Sequence, residues 1–251
     1  MSKTQVAKKK TGGTPALMSE EMFAQDAGAG VADLSSEDLA IPFLKILQKM
    51  SPELDDIESA KSGDIINTVT KDIIKGKDGV RVVNCAYSLQ YIEWEPRGTG
   101  TGAPHKIYTS ADTLPATERG DDGRYLERTA QHYVLVLDKD GMTQQALMPM
   151  KATQFKKSKQ WNSAMRALKM RDNKGDMFIP PRFAHIWHLT TSPEENKNGS
   201  WHGWVISKEN QIEDSNLYQE AKTFAELISA GAVKVQHVRE ENSRDDDDVP
   251  F

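Results

Sequence analysis

The stretch Phe155-Lys156-Lys157-Ser158-Lys159-Gln160-Trp161-Asn162-Ser163-Ala164-Met165-Arg166-Ala167-Leu168-Lys169-Met170-Arg171 decides the fold. Trp161, Ala164, Met165 and Leu168 recur at i, i+3, i+4 and i+7, which places them on one face of a helix over residues 155–171. Lys156, Lys159 and Arg166 fall on the opposite face, so Trp161 is expected in a core and the cations in water. On either side of this helix the pattern is strand. Residues 64–70 read as a short strand and residues 75–79 as a turn. Residues 80–95 read as a long strand whose Val and Tyr positions break strict alternation, which predicts a bend or bulge. Residues 124–138 and 143–151 are further strands joined by the hairpin signal Lys139-Asp140-Gly141. Residues 96–123, rich in Gly and without periodicity, read as a long exposed loop. Beyond the helix, residues 182–191 and 201–207 are strands separated by a polar loop at 192–200, and an amphipathic helix over 212–230 stops at Gly231.

Three core strands, a helix and two more strands is the chain order of the OB-fold. The expected fold is therefore mainly β with additional helices: an OB-fold-like five-stranded Greek-key barrel, with disordered termini. The domain spans residues 35–232. Residues 1–34, rich in Lys, Thr, Gly and Ala, have few apolar groups to bury and are expected to be disordered, as are the acidic residues 233–251. Ser35-Ser36-Glu37-Asp38 offers a helix start, but Pro42 interrupts the pattern that follows. A short helical turn and then an extended apolar segment docked on the domain is expected there.

Composition narrows the function. One cysteine in 251 residues, Cys85, excludes an intramolecular disulfide framework and a multi-cysteine zinc site, and points to a reducing compartment. No stretch reaches the ~20 apolar residues of a membrane span, so a soluble cytoplasmic protein without membrane contact is expected. The net charge of −5 argues against nucleic acid only until its distribution is read. Residues 151–174 hold eight cations against the single anion Asp172, a net +7, whereas residues 239–251 carry a net −4. A cationic body with an anionic tail suits a polyanion-binding protein.

Binding a single strand without sequence preference requires cations along a groove and aromatic faces on which any base can stack. The candidates are Tyr87, Tyr91, Trp94, Arg97, Lys106, Tyr108, Arg124, Tyr125 and Arg128 on the strands and loop, with Lys151, Lys156 and Lys159 from the basic segment. Trp94 and Tyr108 lead among the rings because loop residues flank them. Tyr87 and Tyr91 share a strand face if no bulge lies between them.

The chain ends in Asp245-Asp246-Asp247-Asp248-Val249-Pro250-Phe251. Four adjacent carboxylates repel one another and stay extended, while the terminal Val-Pro-Phe gives an apolar pocket something to grip. This tip resembles that of the bacterial and phage single-stranded-DNA-binding proteins. The resemblance covers seven residues. It implies protection of single-stranded DNA and recruitment of replication, recombination or repair proteins through Asp245 to Phe251. The chain departs from the usual bacterial form in its long basic helix and in lacking a Gly/Gln/Pro-rich linker, which favours a phage version and leaves the oligomeric state open.

Enzymatic readings are weaker, and no cofactor or metal is expected. Glu93 and Glu95 share strand parity but lack the companion carboxylates of a metal-dependent nuclease. His185 and His188 point to opposite faces of a regular strand, which disfavours a metal set with His202. Cys85 sits among Val82, Val83 and Ala86 as a buried, inert thiol. Gly98-Thr99-Gly100-Thr101-Gly102 lacks the ending of a phosphate loop. The alternative to DNA binding is a recruitment or assembly protein that docks partners through its tail without touching DNA.

Overall fold

The computed structural model describes residues 40–233, apart from residues 97, 100–101, 110–113 and 198, together with residues 24–27, 29–30 and 235. Arg97, the helix start at 35–38 and the tail tip Asp245 to Phe251 lie outside the described residues. In chain order the elements are β1 (Leu44–Ile46), α1 (Glu53–Asp56), β2 (Ile65–Asn67), β3 (Ile73–Ile74), β4 (Val80–Trp94), β5 (Lys106–Tyr108), β6 (Tyr125–Leu137), β7 (Thr143–Lys151), α2 (Ala152–Ala167), β8 (Met170–Arg171), β9 (Met177–Phe178), a 3-10 turn (Arg182–Ala184), β10 (His185–Asn196), β11 (Gly199–Gln211) and α3 (Ser215–Ser229). The protein is mainly β.

The principal sheet is antiparallel in the order β11-β10-β4-β6-β7, with β5 added beside the far end of β4. Its organising strand is β4, and the irregularity expected there is a bulge between Asn84 and Ala86 in the pairing with β6. One extra residue inverts the alternation. Val80 and Val82 before the bulge therefore face the same side as Tyr87 and Leu89 after it, all four packing in one apolar layer with Trp161, Met165, Trp187 and Trp204. Val83 and Cys85 face the other layer, with Tyr133, Leu135, Ile186 and Phe224. The helix α2 covers the first layer and α3 the second. Burial pushes the Cys85 thiol up to about 12, so it is protonated and inert at neutral pH.

The expected closed barrel is corrected. Among the described residues β7 and β11 are edge strands that do not pair with each other, so the sheet curls without closing. The segment around β1 occupies the opening. Leu147 of β7 donates its backbone N–H to Pro42 O at 2.8 Å, and Phe43 bridges Leu147 in parallel. Farther along, the Gln48 side chain donates to His202 O at 2.9 Å and accepts from His202 N at 2.8 Å, a two-way amide clasp on β11. Pro42 thus begins the extended apolar segment that the sequence predicts. β1 pairs with β2, and β2 with β3, as a small separate sheet.

Three further boundaries differ from expectation. The helix ends at Ala167 because Leu168 is extended (φ −65, ψ 138), and residues 170–178 form the β8–β9 hairpin. Residues 192–196 and 199–200 continue the β10–β11 ladder, where Trp201 Nε1 donates to the carboxylate of its cross-strand partner Glu194 at 3.1 Å. Loop 96–123 contains β5, paired to β4. α3 is capped by Asp214, whose carboxylate accepts from Asn216 N at 2.7 Å, and Gly231 follows its end at φ 71, a backbone that favours glycine. No helix of the described residues is long and apolar enough to cross a membrane.

Candidate nucleic-acid interface

Because directly paired residues in an antiparallel ladder project to the same side, the register of β4 with β5 and β6 sorts the candidates. Tyr91 pairs with both Tyr108 and Arg128, Tyr87 with His132, and Glu93 with Lys106. Tyr87, Tyr91, Lys106, Tyr108 and Arg128 therefore share the α2 face of the sheet. No bulge separates Tyr87 from Tyr91, since the single register shift precedes both. Trp94 pairs with Tyr125, and Lys151 with Thr129, on the opposite face.

The expectation that Trp94 and Tyr108 lead as stacking faces is corrected: both rings are buried. Tyr108 is pinned between its hydroxyl's bond to Glu93 Oε2 at 3.0 Å and the Lys106 ammonium 4.7 Å from its ring centroid. Tyr87, Tyr91 and Tyr125 are half-buried.

Two cationic candidates are engaged by carboxylates. Lys151 pairs with Glu127 at 2.9 Å, and Arg124 with Glu95 and Asp122 at 3.2 and 3.3 Å. The Arg124 guanidinium beside Glu95 holds that carboxyl below its ordinary range. Arg128 differs. Its guanidinium lies 4.0 Å over the Phe155 ring, no described carboxylate pairs with it, and its Nε is buried without a partner. Lys159 reaches the same ring at 5.1 Å. Lys156 and Lys159 are exposed, as the helical pattern predicts.

Opposite Arg128 stands Arg182, which the sequence reading missed. It sits 5.3 Å from the Tyr87 ring and donates to Asn162 Oδ1 at 2.9 Å and Asn84 Oδ1 at 3.3 Å. Arginine only donates, so the Asn84 amide nitrogen is left to donate to His132 Nδ1 at 2.9 Å. The His132 proton then lies on Nε2 and is donated to Ser158 Oγ at 2.8 Å. This chain of bonds ties β4, β6, α2 and the 3-10 turn together beneath the two tyrosines. The one local signal was for Phe155, which lies among Lys156, Lys157 and Lys159.

His132 is fully buried, and burial, with a smaller contribution from Arg182, pushes its pKa down from 6.5 to about 3. The unfolded chain thus takes up a proton between these values that the native state refuses. Its contribution to stability is complete above about pH 6.5 and is lost as pH falls toward 3. A urea-unfolding series from pH 7 to 4 should show His132→Gln losing stability less steeply than wild type, by up to about 1.4 kcal/mol per pH unit; identical slopes would remove His132 from the account.

The other titratable groups have separate engagements. His188 Nε2 meets Asp78 O at 2.9 Å, His202 Nδ1 meets Ser62 Oγ at 3.2 Å, and His185 is buried. Among the described residues no group of three or more His, Cys, Asp or Glu is placed to share a metal ion.

The family described as Pam3 phage gp34-like protein matches residues 7–234. The chain belongs to this family. The match takes in the whole sheet, α2, Arg182 and α3, and ends before the acidic tip at 245–251. No curated protein and no solved structure matches the chain.

Proposed function

We propose that this phage-family protein binds single-stranded DNA without sequence preference, along the α2 face of the β4–β6 ribbon, in replication or recombination. The supporting observation is the convergence of the half-buried rings of Tyr87 and Tyr91 with Arg128, Lys159 and Arg182, three cations with no carboxylate partner among the described residues, the first two lying over the buried Phe155 ring. Aromatic faces take bases of any identity, and unpaired cations take phosphates. On this reading the sheet is an open relative of the OB-fold, with the long strands β4, β6 and β7 before the helix, β10 and β11 after it, and β1 standing in the gap.

The protein acts as a binder and not as an enzyme, in the host cytoplasm, and Asp245 to Phe251 recruit replication or recombination proteins. The net −4 of the tail against the net +7 of residues 151–174, Lys159 among them, makes the tail a competitor at the same interface. DNA displaces it and frees the Val249-Pro250-Phe251 hook. A version ending at Arg244 should therefore bind single strands several-fold more tightly at low salt, the advantage shrinking as salt rises; equal affinity and equal salt dependence would end the competition model.

The function itself is tested by fluorescence anisotropy of a labelled oligonucleotide, single-stranded against duplex, across a salt series. A labelled strand suits this protein because Trp94, Trp161, Trp187 and Trp204 are buried and report poorly on a surface ligand. Preferential single-strand binding with a log-log salt slope near −0.7 per phosphate contact is expected. No binding at low salt would leave the recruitment protein as the better reading.

A further inference from the structure

The β8–β9 hairpin leaves the interface and returns to it. Its base is held where α2 ends and the 3-10 turn begins: Met165 Sδ lies 3.7 Å from Arg182 Nη1, and Pro180 is buried. Between these anchors residues 171–179 are all exposed. The hairpin is nevertheless well formed. Met170 pairs with Phe178 and Arg171 with Met177, and the Asp172 carboxylate accepts from Lys174 N at 2.8 Å and Asp176 N at 2.9 Å. Arg171 closes the turn with a bond to Gly175 O at 2.9 Å, and Gly175 takes φ 88.

An ordered arm that exposes three consecutive large apolar residues, Met177 at 53%, Phe178 at 41% and Ile179 at 49%, has surface that folding alone does not explain. Lys169, Arg171 and Lys174 lie along the same arm against two anions, Asp172, whose carboxylate is engaged in the turn, and Asp176, which leaves the arm at net +1. A ring and cations on a protruding ribbon match the chemistry of a single nucleic-acid strand, and the arm springs from the elements that carry Phe155, Lys159 and Arg182.

We propose that the β8–β9 hairpin is a second contact for single-stranded DNA, with Phe178 stacking on a base and Lys174 at its tip meeting a phosphate. The inference rests on the single-strand-binding reading and extends it to an element outside the groove. Phe178 and Lys174 have no role in the core, so substituting them leaves the fold intact, which a thermal melt verifies.

The experiment titrates full-length wild type, Phe178→Ala, Lys174→Ala and the double variant with a long labelled oligothymidylate across a salt series, and follows self-association by sedimentation. Expected are about a tenfold loss of affinity for Phe178→Ala and a salt slope shallower by about 0.7 for Lys174→Ala. If wild type binds the strand and all variants bind it equally, the hairpin inference fails while the groove reading stands. If wild type binds no single strand, the groove reading fails and the hairpin inference with it. Self-association abolished by Phe178→Ala, with DNA affinity unchanged, would overturn the inference by assigning the arm to a contact between copies of the chain.

Discussion

Replacing Tyr91 and Arg128 together by Ala should weaken single-strand binding on the order of 100-fold. One lost stacking face contributes about 1 to 3 kcal/mol, and a charge-assisted contact to phosphate about 1.5 to 3 kcal/mol. The two residues are cross-strand partners on one face, so their combined loss removes both kinds of contact from one place. Arg128→Lys keeps the charge but loses the planar fork over Phe155, and should recover part of the affinity and most of the salt slope. The matched control is Tyr125→Ala with Lys151→Ala. These residues are similar in type but project from the opposite face, and Lys151 is already paired with Glu127. That variant should stay within about threefold of wild type, a change worth roughly the 0 to 1 kcal/mol of an exposed ion pair. Anisotropy titrations at one salt concentration, with melting curves to verify folding, decide the matter: equal losses in both variants would mean that the face has been misassigned.

Trp161→Ala should destabilise the protein by about 3 to 5 kcal/mol, the usual cost of removing a large buried ring. Trp161 is 2% exposed, stacks on His132 with ring centroids 4.8 Å apart and meets Trp187 edge-on at 5.9 Å. Its indole N–H has no hydrogen-bond partner, so the residue acts by packing alone. Trp161→Phe should accordingly recover much of the stability. Against a typical total of about 5 to 15 kcal/mol, the Ala variant is left near the margin of folding. Urea midpoints at constant slope measure both effects. A loss below about 1 kcal/mol for Trp161→Ala would show that α2 does not seal the core as described.

Much of this architecture was legible in the sequence because it rests on periodicity. The apolar spacing of Trp161, Met165 and Leu168 located α2, and the broken alternation of β4 announced the bulge before its position could be known. Long-range facts were not legible. Trp94 and Tyr108 looked like loop-flanked ligand rings, yet β5 pairs with β4 and buries Tyr108, and nothing local in Lys106-Ile107-Tyr108 reveals that partner. The polar run at 192–200 carries no apolar alternation; its ladder is an extension of the flanking strands. The gap between β7 and β11 is filled by a segment from residues 42–48, a choice made in three dimensions. Arg182 stayed hidden for the same reason, since its partners Tyr87, Asn84 and Asn162 come from two distant segments.

The most direct test of the central claim is to crosslink the full-length protein to a single strand carrying 5-iodouracil and locate the adducts by mass spectrometry. Adducts on Tyr91 or Tyr87, absent from Trp94 and Tyr125, are the predicted result. Adducts confined to the Tyr125 face, or no adducts with a strand that crosslinks readily to a known single-strand binder, would contradict it.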